Sequence, residues 1–101
     1  MTVYVVAQLT FKDRPAYDRY QANFFGVFRK FKGRLLAADE NPVVLEGEWR
    51  ADKIVMMSFE DRDECMRFLD SPEYALISRD RKAGADAVAL VVEGISVAKG
   101  A

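Results

Sequence analysis

Apolar and polar positions along this chain repeat with two periods, about 3.6 residues and 2 residues, and the changes of period divide it into predicted helices and strands. Residues 2–11, TVYVVAQLTF, are rich in β-branched and aromatic side chains and predict a strand. One set of alternate positions in this strand is wholly apolar and the other is mixed. Such a strand is expected at the centre of a sheet that is covered on both faces.

Residues 13–33 carry the signals that begin and end a helix. Asp13 is a candidate N-cap, Pro15 lies in the first turn, and Gly33 follows a basic last turn at residues 29–32. Six apolar side chains fall on one side of this helix and predict its buried stripe: Tyr17, Tyr20, Phe24, Val27, Phe28 and Phe31. Phe25 lies off the stripe, and we interpret it as an exposed aromatic, with a contact to a partner as the alternative.

Residues 34–49 contain two apolar stretches separated by the sequence DENP. We interpret them as one long strand with a turn or bulge at Asn41-Pro42. Because proline cannot donate a hydrogen bond to a neighbouring strand, we expect this strand at an edge of the sheet. Residues 53–59, KIVMMSF, form a near-continuous apolar run, which predicts a second central strand after a loop around residues 50–52.

Residues 61–85 predict a helix that is interrupted and then restarts. Asp61 is a candidate cap for the first segment. The side chains expected on its buried side are Cys65, Phe68 and Leu69. Ser71 caps a second segment with Pro72 at its first position, which is typical of a new helix N-terminus. Residues 85–97, ADAVALVVEGISV, predict the last strand.

The resulting order is strand, helix, strand, strand, helix, strand. This βαββαβ order predicts an α+β ferredoxin-like sandwich, with a four-stranded antiparallel sheet and both helices on one face, over a single domain of residues 1–101. The other face still carries apolar side chains, so we expect two sheets to meet in a homodimeric α+β barrel. A small pocket is expected in each subunit, between sheet and helices or at the barrel mouth.

Composition excludes several classes of function. The net charge of −1 gives none of the basic excess that binding to nucleic acid requires. No apolar run is long enough for a membrane helix, and Met1 leads directly into strand-like sequence, so we expect a cytoplasmic protein with no membrane partner. The chain has no histidine, so we predict no metal, no haem and no other cofactor. Cys65 has no histidine to act as its base, and we interpret it as a packing residue rather than a nucleophile.

Two stretches resemble a known family. Residues 44–77, VLEGEWRADKIVMMSFEDRDECMRFLDSPEYALI, resemble the "LEG-x-W" segment, the apolar strand and the "SPEY-x-x-I" helix of a family of small bacterial dimeric α+β-barrel proteins, itself a domain of unknown function. The opening YVVAQLTFKDRPAYDRY resembles the same family's "Y-V", "D-x-x-A-Y" and "Y" spacing. The resemblance covers residues 3–95. Ala51 departs from the pattern, since the family has proline there.

This resemblance implies the fold and the dimer but no reaction. The wider group of dimeric α+β barrels that the chain is similar to includes cofactor-free monooxygenases, haem-degrading enzymes, lactone isomerases and ligand-sensing domains. One fold therefore supports many chemistries, and function has to be argued from the site.

Candidate ligand-binding residues are Trp49, Arg50, Tyr17, Gln8 and Ser58. Trp49 either covers the open end of the barrel or forms a pocket wall, and Arg50 either pairs with a nearby carboxylate or holds an anionic ligand. Gln8 and Ser58 are polar positions in apolar strands. They either bond to neighbouring groups or form a polar floor to a cavity, with tyrosines adding phenols.

No catalytic residue can be assigned from these patterns, because the candidate carboxylates Glu46, Glu48, Asp61 and Asp63 all fall where surface loops are predicted. The "SPEY" segment is interpreted as structural, with Glu73 near a helix N-terminus and Tyr74 packed inward. We predict a protein of unknown reaction that binds a small anionic or aromatic molecule, or a cofactor-independent enzyme. The alternative is a non-catalytic interaction or ligand-sensing scaffold whose role is dimerisation.

Overall fold

A computed structural model describes residues 1–95 as one sheet with a helical layer. Within these residues there are four strands and three helices. They are β1 (Val3–Phe11), α1 (Arg14–Phe28), β2 (Gly33–Asp39), β3 (Lys53–Phe59), α2 (Arg62–Leu69), α3 (Pro72–Gly84) and β4 (Ala85–Glu93). The order of elements confirms the predicted βαββαβ pattern, with the second helix divided into two.

The sheet is antiparallel and its strands lie in the order β2-β3-β1-β4. The two strands predicted to be central, β1 and β3, are central, and β2 lies at an edge as predicted. Residues paired across neighbouring strands share a face, so the register assigns every side chain to one of two faces. The helix face includes Val5, Leu9 and Met57, which are buried, and the opposite face is called the open face below.

α1 begins as the sequence indicates and ends earlier than expected. The carboxylate of Asp13 accepts a hydrogen bond from the backbone N–H of Ala16, and Pro15 lies in the first turn. The helix ends at Phe28, so the basic residues 29–32 lie outside it. There the backbone makes two successive i to i+3 hydrogen bonds, which tighten the chain into a turn. The predicted stripe is buried, apart from Phe31, which is half-buried against the core.

The interrupted helix is confirmed. Asp61 caps α2 by accepting from the N–H of Glu64. The hydroxyl of Ser71 accepts from the N–H of Tyr74 at the start of α3 and donates to the carbonyl of Phe68 at the end of α2. A single serine therefore bonds to both helices, and the chain turns between them without leaving a buried donor unpaired.

The long strand predicted over residues 34–49 is wrong in its second half. β2 ends at Asp39, whose carboxylate accepts from the N–H of Asn41, and no strand forms between Glu40 and Asp52. Pro42 has no N–H to donate to a ladder, and Gly47 has a φ of 83°, so this stretch cannot continue a regular strand. We call residues 40–52 the arm.

β4 is shorter than the sequence suggests. It ends at Glu93, and residues 94 and 95 lie outside the strand. The predicted continuation over residues 96 and 97 lies outside the part of the chain that the structure describes. After the strand, the N–H of Gly94 donates to the carbonyl of Thr2, which holds this end of β4 against the beginning of β1.

Gly84 sets the distance between α3 and α1. A Cβ at this position would lie 2.4 Å from the backbone nitrogen of Tyr17. The backbone carbonyl of Gly84 accepts hydrogen bonds from the N–H groups of Lys12 and Asp13. Backbone atoms this close cannot move aside as a flexible side chain would. Glycine is therefore required here for helix packing, although its φ is unexceptional.

Gly84→Ala should lower the free energy of unfolding by about 1–3 kcal/mol, because the added methyl group forces α1 away from α3. Gly26→Ala is the matched control. Gly26 lies inside α1, and no atom lies within 4 Å of the added Cβ, so this substitution should raise the free energy of unfolding by roughly 0.5–1 kcal/mol. Urea titration of both variants measures the difference, and equal stabilities would contradict this account of the helix contact.

Candidate functional site

A cavity of about 840 Å³ lies between the helix face of the sheet and the paired helices α1 and α3. Its volume falls within the range of about 300–1,000 Å³ that is usual for small-molecule sites. Small side chains on the sheet create the space. Alanines stand at four helix-facing positions that line it: Ala7, Ala38, Ala87 and Ala89. The cavity is therefore a consequence of missing side-chain volume on the sheet opposite large aromatic residues on the helices.

Lys53 is the charged residue of the cavity floor. It is in register with Leu9 on the helix face of β3, and only 5% of its surface is exposed. Its Nζ donates to Oε1 of Gln21 on α1 at 2.7 Å and lies 4.9 Å from the centre of the Tyr17 ring. Removal from water lowers the pKa of Lys53, an effect opposed by the nearby negative charge of Glu40.

Three phenols border the same cavity. The hydroxyl groups of Tyr20 and Tyr74 lie 3.2 Å apart and form a hydrogen bond between α1 and α3. Burial raises the pKa of Tyr17 to about 12, and burial also raises the pKa of Tyr20. Both therefore stay protonated at neutral pH, and they can donate hydrogen bonds but cannot act as bases there.

An ion pair between α1 and the arm involves Glu40, which lines the cavity. The guanidinium of Arg14 binds both carboxylate oxygens of Glu40 at 2.9 Å and also bonds to Asp18. The Arg14 guanidinium also lies over the Phe11 ring at 4.5 Å. Hydrogen bonding to Arg14 holds the pKa of Glu40 below its usual range. Glu40 is thereby kept as a carboxylate bound to Arg14, and among residues 1–95 the Lys53 amine forms an ion pair with no carboxylate.

The five residues predicted to bind a ligand are divided between the two faces of the sheet. Tyr17 lies in the cavity. Trp49 and Gln8 lie together on the open face, where the indole N–H donates to the Gln8 side chain at 3.2 Å. Ser58 is also on the open face, beside Tyr4 in a shallow pocket at the sheet edge. Arg50 is exposed and bonds to Glu48 at 2.7 Å, as its structural interpretation predicts.

The cavity residues that sequence reasoning missed are Lys53, Gln21 and Tyr74. A signal for Lys53 was available, because it is in phase with the apolar residues Val55, Met57 and Phe59 along β3 and so had to share a face with them. A charged residue in phase with a buried face is a candidate for function. Gln21 had no such signal, since only the packing of α1 on the sheet brings it to Lys53.

Cys65 is fully buried in the core, and burial raises the pKa of its thiol. Its surroundings are those of a packing residue, since a reactive cysteine needs exposure and a lowered pKa. Within residues 1–95 no group of three Cys, Asp or Glu side chains is arranged to hold a metal ion. No helix in that range is long and apolar enough to cross a bilayer.

The chain belongs to the family described as Domain of unknown function (DUF1330), which matches residues 2–95. This confirms the family resemblance of the "LEG-x-W" and "SPEY-x-x-I" segments. No curated protein matches the chain in sequence.

Several solved structures share the fold at low sequence identity. A protein of unknown function from Rhodopseudomonas palustris, RPA0582, is 14% identical, with a TM-score of 0.78 over 94% of this chain and 83% of that one. A dimeric ferredoxin-like protein of unknown function from Jannaschia sp. CCS1 is 14% identical, with a TM-score of 0.72 over 93% of this chain and 100% of that one. SnoaB, a cofactor-independent oxygenase from Streptomyces nogalater, is 15% identical, with a TM-score of 0.67 over 97% of each chain. The ferredoxin-like α+β fold is confirmed.

Proposed function

We propose that this member of the family binds a small aromatic or anionic molecule in the cavity between sheet and helices, and that it acts on the molecule without a cofactor. One observation carries the proposal. The Lys53 amine lies at the cavity floor with the amide oxygen of Gln21 as its polar partner, and no carboxylate within residues 1–95 lies within 4.0 Å of it. A buried cation without a counterion favours a ligand that supplies the negative charge.

The rest of the cavity suits the body of such a ligand. Its walls are mostly apolar, with the Tyr17 and Phe24 rings on the helix side and Val55 and Met57 on the sheet side. Aromatic ligands pack well against such rings, and the paired hydroxyls of Tyr20 and Tyr74 offer a second polar contact. The fold is compatible with chemistry of this kind, since the structurally similar SnoaB is a cofactor-independent oxygenase.

Lys53→Met should weaken the binding of an aromatic carboxylate such as 2-naphthoate by roughly 10- to 100-fold, because a charge-assisted hydrogen bond of about 1.5–3 kcal/mol is lost while the side-chain length is kept. Calorimetric titration measures the change. Lys30→Met, at an exposed position after α1, is the matched control and should bind as the unmodified protein does.

The same binding should depend on pH in a defined direction. The ammonium form of Lys53 binds the anion, so affinity should fall as pH rises through the lowered pKa of Lys53. Lys53→Met should show no such fall. Equal affinity of the Lys53 and Lys30 variants for 2-naphthoate would contradict the proposed site, as would the absence of binding across a set of aromatic acids.

A homodimer is the second part of the proposal, and the open face supports it. Apolar side chains from three strands lie together there: Val6, Ile54, Met56, Val88, Leu90 and Val92. Val88 and Leu90 are 63% and 57% exposed in the single chain. An apolar patch built from several strands is typical of a surface that a second copy covers. Similar proteins of this fold are dimeric.

The alternative function is a non-catalytic scaffold whose role is dimerisation or ligand sensing. The apolar open face favours this alternative. The Lys53 amine, which pairs with no carboxylate among residues 1–95, lies in a large cavity and favours the binding of a small molecule. Binding of a small molecule without turnover would support the sensing role. A cytoplasmic location stays a prediction, with the buried free thiol of Cys65 in its favour.

A further inference from the structure

We propose that the Lys53 amine reacts reversibly with the carbonyl group of an aromatic aldehyde or ketone held in the cavity, forming an imine. This inference rests on the proposed function, because the carbonyl compound occupies the same cavity. It adds a chemical class of ligand and a covalent role for one residue.

The geometry makes the Lys53 nitrogen a candidate nucleophile. Lys53 and Gln21 both line the cavity, and the hydrogen bond from the Lys53 nitrogen to Gln21 Oε1 at 2.7 Å directs the amine. The neighbouring Tyr17 ring, 4.9 Å from the nitrogen to the ring centre, gives an aromatic carbonyl compound a surface to pack against. A nucleophilic lysine needs these features together: a pocket, a directed amine and little water.

Charged groups of both signs lie near Lys53, and the two carboxylates among them are bonded to Arg14. From the arm, the Glu40 carboxylate is bound by both terminal nitrogens of Arg14, and from α1, Asp18 also bonds to Arg14. The positive charge of Arg14 itself disfavours a second one on Lys53. From α3, the cationic residues Arg81 and Lys82 also line the cavity. Burial lowers the pKa of Lys53, which increases the fraction of neutral amine at a given pH.

The proposed step is balanced with water as its other product. The nitrogen lone pair attacks the carbonyl carbon, the π electrons move to oxygen, and a proton passes from nitrogen to oxygen to give a carbinolamine. The oxygen then takes a second proton and leaves as water with the electron pair of the C–O bond, the nitrogen lone pair forms the C=N bond, and the nitrogen gives up its remaining proton, so that both protons of the water come from the amine overall. Hydrolysis reverses the sequence, so no oxidant or reductant is required.

Trapping with cyanoborohydride tests the step. The full chain is incubated near neutral pH with 2-naphthaldehyde and cyanoborohydride, which delivers hydride to the imine carbon and converts it to a stable secondary amine. Mass spectrometry of peptides should place the adduct on Lys53 ahead of the exposed Lys30. Lys53→Arg, which keeps the charge but removes the nucleophile, should lose that adduct, and Lys30→Arg should keep it.

A parallel measurement separates this inference from the proposed function. 2-Naphthoate and 2-naphthylmethanol have the same ring system but cannot form an imine, and their binding is followed by thermal shift. If they stabilise the protein but the aldehyde gives no adduct at Lys53, the covalent role is wrong and the binding site stands. If neither stabilises the protein and adducts are spread evenly over surface lysines, both proposals are wrong.

Discussion

Val6→Asp should yield insoluble or unfolded protein, whereas the unmodified chain should be a dimer of twice its 11.4 kDa mass. Val6 lies at the middle of the open face, in register with Met56 on β3 and Leu90 on β4. In the proposed dimer an aspartate there would be buried without a partner for its charge, at a cost of several kcal/mol. Met56→Asp should behave in the same way.

The size of the apolar surface explains the expected severity. A standard interface covers about 800 Å² on each partner. About 57% of such a surface is apolar, so at roughly 25 cal/mol per Å² of apolar area, leaving it in water would cost on the order of 10 kcal/mol, which is comparable with the stability of a whole domain. The single folded chain should therefore be scarce.

Light scattering measures the mass of the unmodified protein, and the emission of Trp49 should report dissociation on dilution because the indole lies on the open face against Gln8. Ala22→Asp, at an exposed position of α1, introduces the same charge away from this face and should remain a soluble dimer. A stable particle of one chain's mass at nanomolar concentration would overturn the dimer, as would a Val6→Asp protein with unchanged mass and stability.

Phe68→Ala should lower the free energy of unfolding by about 3–5 kcal/mol, a large share of the 5–15 kcal/mol typical of a domain. Phe68 is fully buried. Its ring contacts five other aromatic rings at centroid distances of 4.7–6.0 Å: Phe24, Phe28, Phe31, Phe59 and Tyr74. It therefore joins α1, the turn after α1, β3 and α3, and no single neighbour can fill the space that it leaves.

Urea titration measures this loss of stability. The slope of the unfolding free energy against urea concentration should not change if the unfolding transition stays two-state. Phe25→Ala is the matched control, because the Phe25 ring is 57% exposed and contacts only the edge of the same cluster. Phe25→Ala should lower the free energy of unfolding by about 1 kcal/mol or less. Equal losses for the two variants would show that Phe68 is not the centre of the core.

The side of the sheet on which each predicted ligand-binding residue lies is set by packing between distant segments of the chain. Trp49 and Arg50 are prominent in the sequence, and their interpretation as either structural or ligand-binding depended on which face of the sheet the arm follows. The arm places the indole against Gln8 on the open face, 41 positions away in sequence, while Tyr17 is on the other side of the sheet. A strand position can be assigned to one of two alternating sets from sequence, but which set faces the helices depends on packing.

Only part of the environment of Lys53 could be predicted from the sequence. Its phase with Val55 and Met57 places it on the same face of β3 as those residues, which is a local property. Its hydrogen bond to Gln21 joins residues 32 positions apart, and its lack of a carboxylate partner within the described part of the chain depends on the binding of Glu40 to Arg14. The first fact could be predicted, and the other two required the packed structure.

The sequence by itself determined the order of the elements, the start of each helix at Asp13, Asp61 and Ser71, and the central positions of β1 and β3. These features depend on interactions within a few residues, namely side-chain capping of free N–H groups and the periods of apolar side chains. Only the tertiary structure decided where the arm leaves the sheet, which face carries the cavity, and how Lys53 and Gln21 meet. Those features depend on contacts between distant parts of the chain, and local pattern does not encode the energies that select them.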